Sequence, residues 1–158
     1  MRIKEILKEQ IEKIRIGGRE LEEIERRTEE FSRDIGKAVK RRKIKADVFL
    51  GGSLAKRTLL KRKDYDVDIF VRFDSKYGDE EISELLSKVV KGKRIHGSRD
   101  YFIGRKGRIT FEVIPVIKIK KADEARNVTD LSYFHVSYVR NKIKKNKKLA
   151  DEIMLTKH

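Results

Sequence analysis

Asp64-Tyr65-Asp66-Val67-Asp68-Ile69-Phe70-Val71-Arg72-Phe73 is the stretch that decides the fold class. Successive side chains of a β-strand point to opposite faces, so alternation sorts these residues into two sides. Val67, Ile69, Val71 and Phe73 share one face, which needs a hydrophobic core beneath it, and Asp66 and Asp68 lie side by side on the other. A later apolar stretch ending in Ile114-Pro115 repeats the pattern: Ile109, Phe111 and Val113 share a face, and Glu112 projects to the opposite side. With the two strands as neighbours, three carboxylates converge. Crowded carboxylates repel and take up protons unless a hard cation with oxygen ligands offsets their charge. The pattern predicts Asp66, Asp68 and Glu112 as catalytic and metal-ligating residues, with Mg²⁺ as the metal and two ions expected.

Upstream, Asp47-Val48-Phe49-Leu50 reads as a short strand running into Gly51-Gly52-Ser53, thirteen residues before Asp66. Glycine adopts positive φ and leaves backbone N–H groups open to a triphosphate, which makes Gly52 a candidate nucleotide contact. Ser53 is expected to cap a helix from roughly Leu54 to Leu60 and to aim its hydroxyl and the helix N-terminus at phosphate oxygens. A glycine-serine turn alone is usually a plain turn, and Asp-x-Asp alone is usually a solvated edge. The ordered series of strand, glycine turn, short helix, acidic strand and third acid points to nucleotidyl transfer.

Elsewhere the periodicity is helical. Ile3, Ile6, Leu7, Ile11 and Ile14 form one apolar stripe, Gly17-Gly18 interrupts it, and Leu21, Ile24, Phe31, Ile35 and Val39 form a second. Glu22, Glu23, Glu29 and Glu30 read as solvent faces or intrahelical ion pairs. Gly78 to Val90 reads as a helix covering the sheet, with Ile82, Leu85, Leu86 and Val89 inward. The expected fold is α/β (α+β): a small mixed sheet backed by helices and preceded by two N-terminal helices. The 158 residues suit one domain, divided into a helical part at 1–43, a catalytic sheet at 44–123 and helices at 129–158. The last helix-like stretch, with Leu149, Ile153, Met154 and Leu155, ends without a glycine cap or a further element to bury it, which suggests a companion chain.

Composition narrows the partners. The chain has no cysteine, which excludes disulfides and thiolate-bound zinc, and its three histidines are scattered. No run of eighteen apolar residues and no secretory segment is visible, so a cytoplasmic protein without a membrane partner is expected. The net charge is +15, and its excess is uneven: residues 1–36 hold 9 basic and 10 acidic side chains, the remainder 32 and 16. A polyanion is the natural partner, bound through phosphate contacts rather than base readout. The basic runs nearest the motifs nominate Arg62, Arg105, Lys106 and Arg108 as RNA-binding candidates, with Arg99 beside the third-acid strand added to them. His96 reads as a surface residue, and Tyr65, Tyr101 and Tyr133, which can either stack on bases or fill core, stay unassigned.

Several segments carry a family likeness. Phe49-Leu-Gly-Gly-Ser-Leu-Ala-Lys-Arg-Thr-Leu-Leu-Lys, Asp64-Tyr-Asp-Val-Asp-Ile-Phe-Val-Arg-Phe, Phe111-Glu-Val-Ile-Pro-Val and Val128-Thr-Asp-Leu-Ser-Tyr-Phe-His-Val resemble, in order and spacing, the polymerase-beta-like nucleotidyltransferases. Within these, they resemble the archaeal (class I) CCA-adding tRNA nucleotidyltransferases, of which this chain looks like the catalytic head. The resemblance implies transfer of CMP and AMP from CTP and ATP to the 3′ end of tRNA. It implies metal ligation by Asp66, Asp68 and Glu112, a triphosphate contact from Ser53, and nucleotide contacts from Lys56, Ser132 and His135. It also implies a neck, body and tail supplied by another chain. Three positions depart from the pattern: Glu112 stands where aspartate is usual, Arg57 where glycine is common, and Arg99 where histidine is common. Two other readings stay open. One is a small stand-alone nucleotidyltransferase acting on another RNA, a protein or a small molecule, and the other is a catalytically weak tRNA-binding subunit.

Overall fold

The structure, a computed structural model, describes residues 2–158. Its elements run α1 (Ile3–Ile14), α2 (Gly18–Arg41), β1 (Ala46–Leu50), α3 (Gly52–Lys56), β2 (Tyr65–Phe73), α4 (Asp79–Ser87), β3 (Lys93–Ile95), β4 (Tyr101–Lys106), β5 (Ile109–Ile117), α5 (Ser132–Lys145) and α6 (Lys148–Lys157), with 3₁₀ turns at Ala122–Glu124 and Val128–Leu131. The expected small mixed sheet is present, with five strands in the order β1-β2-β5-β4-β3. Only the central pair β2 and β5 is parallel, and the other neighbours are antiparallel. β4 and β5 form a hairpin whose turn contains Gly107 at φ 62°, a left-handed position that suits glycine.

The sheet's alternation builds the core. Val67, Ile69, Val71 and Phe73 of β2 and Phe111 and Val113 of β5 are buried together with Ile82 and Leu86 of α4 and Ile24, Ile35 and Val39 of α2. Phe31 of α2 stacks on Phe111 with ring centroids 4.3 Å apart. Pro115 is tolerated in a central strand because the β4 pairing ends at Val113. Ile117, of the same parity as Pro115, already sends its N–H away from β2 to the Asp130 carboxylate at 2.7 Å. A smaller cluster of Ile11, Ile14, Leu60 and Met154 joins α1 to α6.

Two polar assemblies fix the loops around the sheet. Asp130 is 2 % exposed. It accepts hydrogen bonds from the amides of Ile117, Arg126 and Asn127 and from the Arg99 guanidinium. Arg99 also donates to Asp79 at 2.9 Å, so the start of α4, the end of β5 and the turn into α5 are tied to one centre. Arg108 clasps the other side. Its guanidinium donates to the carbonyls of Arg62 and Lys63 and pairs with Glu20 at 2.9 Å, holding the loop after α3 against α2.

Two local expectations are corrected. Gly51, not Ser53, is the N-cap of α3, and Ser53 lies inside its first turn with no side-chain capping bond. The helix also ends at Lys56 rather than near Leu60, because Arg57 adopts the left-handed conformation at φ 60° and closes it after one turn. A non-glycine residue there costs about 1–2 kcal/mol.

Candidate active site

β2 and β5 bring the acids onto one face through their register: Asp68 lies opposite Glu112 and Asp66 opposite Thr110. Asp66 is exposed, whereas Asp68 and Glu112 are half-buried. The glycine turn meets them from the side, anchored by the Gly51 amide donating to the Asp68 carbonyl at 2.9 Å. Gly52 has φ 60°, and a Cβ placed on it would lie 1.7 Å from Asp68 Oδ2. Glycine at 52 is thus required twice, by its backbone conformation and by the carboxylate resting against it. Gly51 faces a similar limit, since its Cβ would strike the Phe70 ring at 2.2 Å.

Electrostatics agree with this placement. Burial raises the proton affinity of Asp68, the charge of Asp66 raises it further, and Lys56 opposes both. Burial likewise pushes Glu112 up, with added repulsion from Asp68 and Asp66. Asp68 and Glu112 therefore both sense the neighbouring acids. The expected convergence is nonetheless corrected: among the described residues, no three His, Cys, Asp or Glu side chains are gathered into a ligand sphere. Like charges repel, and the Asp68 carboxylate sits against Gly52 instead. The donor set fits a hard divalent cation in type, being all carboxylate oxygen, and in its placement on one face of the sheet.

Beside Asp66 opens a cleft of about 170 Å³ lined by Ser53, Leu59, Leu60, Arg62, Asp64, Tyr65, Asp66 and Lys157. Sequence reasoning missed Lys157. It comes from α6, 99 residues after Thr58, to whose carbonyl its Nζ donates at 3.0 Å. Burial, with repulsion from Lys56 and Arg62, lowers its proton affinity. Helical spacing from Ile153 and Met154 carried no hint of this, because only the packing of α6 on α1 brings it here.

The remaining candidates divide. Ser132 is the first residue of α5, which packs against α3, and His135 follows one turn later with its ring exposed; neither lines the cleft. Arg99 leaves the RNA-binding set. Its side chain is 3 % exposed and committed to Asp130 and Asp79, because a buried guanidinium must be paired. Arg108 spends its donors on the loop carbonyls and Glu20, and Arg105 pairs with Asp64 at 2.8 Å while staying open to solvent. Lys106 lies over the Phe31 ring, and Arg62 is exposed at the cleft. Tyr133 is a packing residue that sequence reasoning left unassigned: the Arg72 guanidinium lies 4.1 Å above its ring while pairing with Asp47 at 2.9 Å, which pins the start of α5 to β1 and β2.

The family comparison agrees with this geometry. The description "Second Messenger Oligonucleotide or Dinucleotide Synthetase domain" matches residues 1–149. The chain belongs to this family. As a nucleotidyltransferase domain of this family, it also has curated relatives named CCA-adding enzyme. That of Nanoarchaeum equitans is 43% identical over 103 residues, covering 62% of this chain and 26% of the relative. That of Methanocaldococcus jannaschii is 29% identical over 165 aligned positions, covering 98% of this chain and 36% of the relative. The chain therefore spans about a quarter to a third of the length of these relatives. Among solved structures, the Cid1 poly(U) polymerase bound to MgATP superposes with a TM-score of 0.71 at 18% identity, over 98% of this chain and 46% of that one. CdnC of E. coli MS115-1 with ATP gives 0.68 at 14% identity, over 92% and 53%. At these identities the likeness is one of fold, which is polymerase-beta-like. No helix among the described residues is long and apolar enough to cross a membrane.

Proposed function

We propose that this domain is the catalytic head of a Mg²⁺-dependent tRNA nucleotidyltransferase, adding CMP and AMP from CTP and ATP to the tRNA 3′ end. The observation that carries this reading is the Asp68–Glu112 register with the glycine turn packed against Asp68. The name of the relatives, CCA-adding enzyme, supports tRNA as the acceptor and CTP and ATP as the donors. The reaction forms a bond from the RNA 3′ oxygen to the α-phosphorus and breaks the α–β phosphoanhydride, so pyrophosphate leaves and no covalent enzyme intermediate is needed. Asp66, Asp68 and Glu112 would hold the divalent ions. Bound there, Mg²⁺ supplies charge neutralisation for the attacking and leaving oxygens. Glu112, opposite Asp68 in the register, would chiefly hold the ion that activates the 3′ hydroxyl. Ser53, the Gly52 amide, Lys56 and Lys157 face the triphosphate, where Lys157 offsets the charge of the leaving group.

Because the chain spans a minor part of its relatives, a polypeptide corresponding to the rest is the partner expected to complete tRNA binding, in the cytoplasm. The decisive assay incubates the chain, with and without that polypeptide, with tRNA lacking its terminus and each labelled NTP. Metal-dependent label on tRNA, lost in Asp68→Ala with tRNA affinity retained, is the expected result. Label appearing only in free oligonucleotides or dinucleotides would move the acceptor from tRNA to a second nucleotide. No incorporation in any combination would leave an RNA-binding subunit.

A further inference from the structure

At the C-terminal end of α3, Arg15, Lys56, Arg57, Arg140, Lys144 and Lys147 surround a groove of about 520 Å³ completed by Ile143, Ala150 and Asp151. Its one acid is already engaged, since Asp151 pairs with Arg15 at 2.6 Å. Among the described residues, the other five cations form no ion pair, and only Lys56 lies within the field of a carboxylate, that of Asp68, so the groove carries a concentrated positive charge. This sets it apart from the β4–β5 hairpin, whose Arg105 and Arg108 are occupied by Asp64 and Glu20.

Arg57 adds a separate observation. Among the described residues, only two that are not glycine have positive φ, Lys43 and Arg57, while Gly52 and Gly107 fill comparable positions at φ 60° and 62°. A long cation is thus kept at a left-handed position that glycine would occupy without strain, and its exposed side chain lines the groove. Ile143 and the methylene stems of Lys144 and Lys147 provide apolar surface between the charges, which suits a ribose or base edge alternating with phosphate. Lys56 belongs both to the groove and to the electrostatic surroundings of Asp68, so the groove opens beside the catalytic strand.

We propose that this groove seats the sugar-phosphate backbone of the acceptor RNA strand close to its reacting end, with Arg57, Arg140, Lys144 and Lys147 as the phosphate contacts. This rests on the reading of the acceptor as RNA. On the reading above, the triphosphate takes the cleft beside Ser53 and Lys157, which leaves this groove for the second substrate.

The test measures equilibrium binding of the whole chain to fluorescent tRNA lacking its terminus, in EDTA and without nucleotide, across about 50–300 mM salt. Arg57→Gly removes one contact and relieves the strained backbone, so the melting temperature rises while the slope of log Kd against log salt falls by about 0.7–0.9. Adding Lys144→Gln and Lys147→Gln lowers the slope by about two and weakens binding roughly tenfold at moderate salt. An unchanged slope in the triple variant, with the fold intact by circular dichroism, overturns the proposal. Competition by poly-glutamate matching that of single-stranded RNA of equal charge overturns the RNA assignment in favour of an acidic protein surface. Binding is read without metal or nucleotide, so a chain that transfers nothing but shows these slope changes keeps the groove and loses only the catalytic reading.

Discussion

Replacing Gly52 with alanine tests the link between the glycine turn and the acidic strand. Two costs add. Alanine at φ 60° loses about 1–2 kcal/mol through its left-handed backbone. Its Cβ also begins 1.7 Å from Asp68 Oδ2, less than half an ordinary contact, so the carboxylate must swing away by well over an ångström. The backbone term alone lowers the melting temperature by roughly 3–8 °C for a domain of this size. Displacing a catalytic group by about 1 Å costs on the order of a hundredfold in rate. Single-turnover transfer of labelled nucleotide, run beside thermal melts, should therefore show a loss far larger than the destabilisation explains. Gly36→Ala in α2 is the control: no atom lies within 4 Å of the new methyl, and it should stabilise by about 0.5–1 kcal/mol with transfer unchanged. A Gly52→Ala protein that melts lower but transfers within twofold of the parent would show that Asp68 does not act from the position described.

Asp130→Ala leaves Arg99 buried with only Asp79, and urea unfolding should report a loss of about 3–5 kcal/mol; under 1 kcal/mol would mean the network is ornamental. Burial raises the Asp130 pKa, but hydrogen bonds from Arg99 and the Ile117 amide outweigh it and hold the folded value below the ordinary range. Its stabilisation is therefore present above the unfolded carboxylate pKa and is lost as pH falls through the folded one; the stability gap between the parent and Asp130→Asn should close in acid. Asp68 has the opposite sign. Its folded pKa is raised, so its ionised form destabilises the fold increasingly as pH rises past the unfolded value, and Asp68→Asn should melt higher at neutral pH while abolishing transfer. Millimolar Mg²⁺ should raise the melting temperature of the parent and leave Asp68→Asn unmoved; an equal rise in both would place the cation elsewhere.

The strands and their faces were legible because a period of two is a local property, and Asp66, Asp68 and Glu112 share a face as the alternation predicts. The end of α3 was not legible, since Ser53 and Leu60 look like sound helix limits and only the backbone at Arg57 shows where the turn closes. Arg99 looked like a free cation because its partner Asp130 is thirty-one residues away, across β4 and β5. Lys157 was missed for the same reason of distance. Net charge pointed correctly to an excess of cations, but it could not tell an arginine spent on carbonyls from one left without a partner.

The parallel pairing of β2 with β5 also carries a folding consequence. Parallel neighbours cannot be joined by a tight turn, and here the chain travels through residues 74–108, with a helix and two strands, before Glu112 comes alongside Asp68. Closing so long an excursion is slow compared with forming any single helix or hairpin. A nascent or half-folded molecule thus holds its aspartates and its glutamate apart, and the proposed site is assembled only when the last strand slides home.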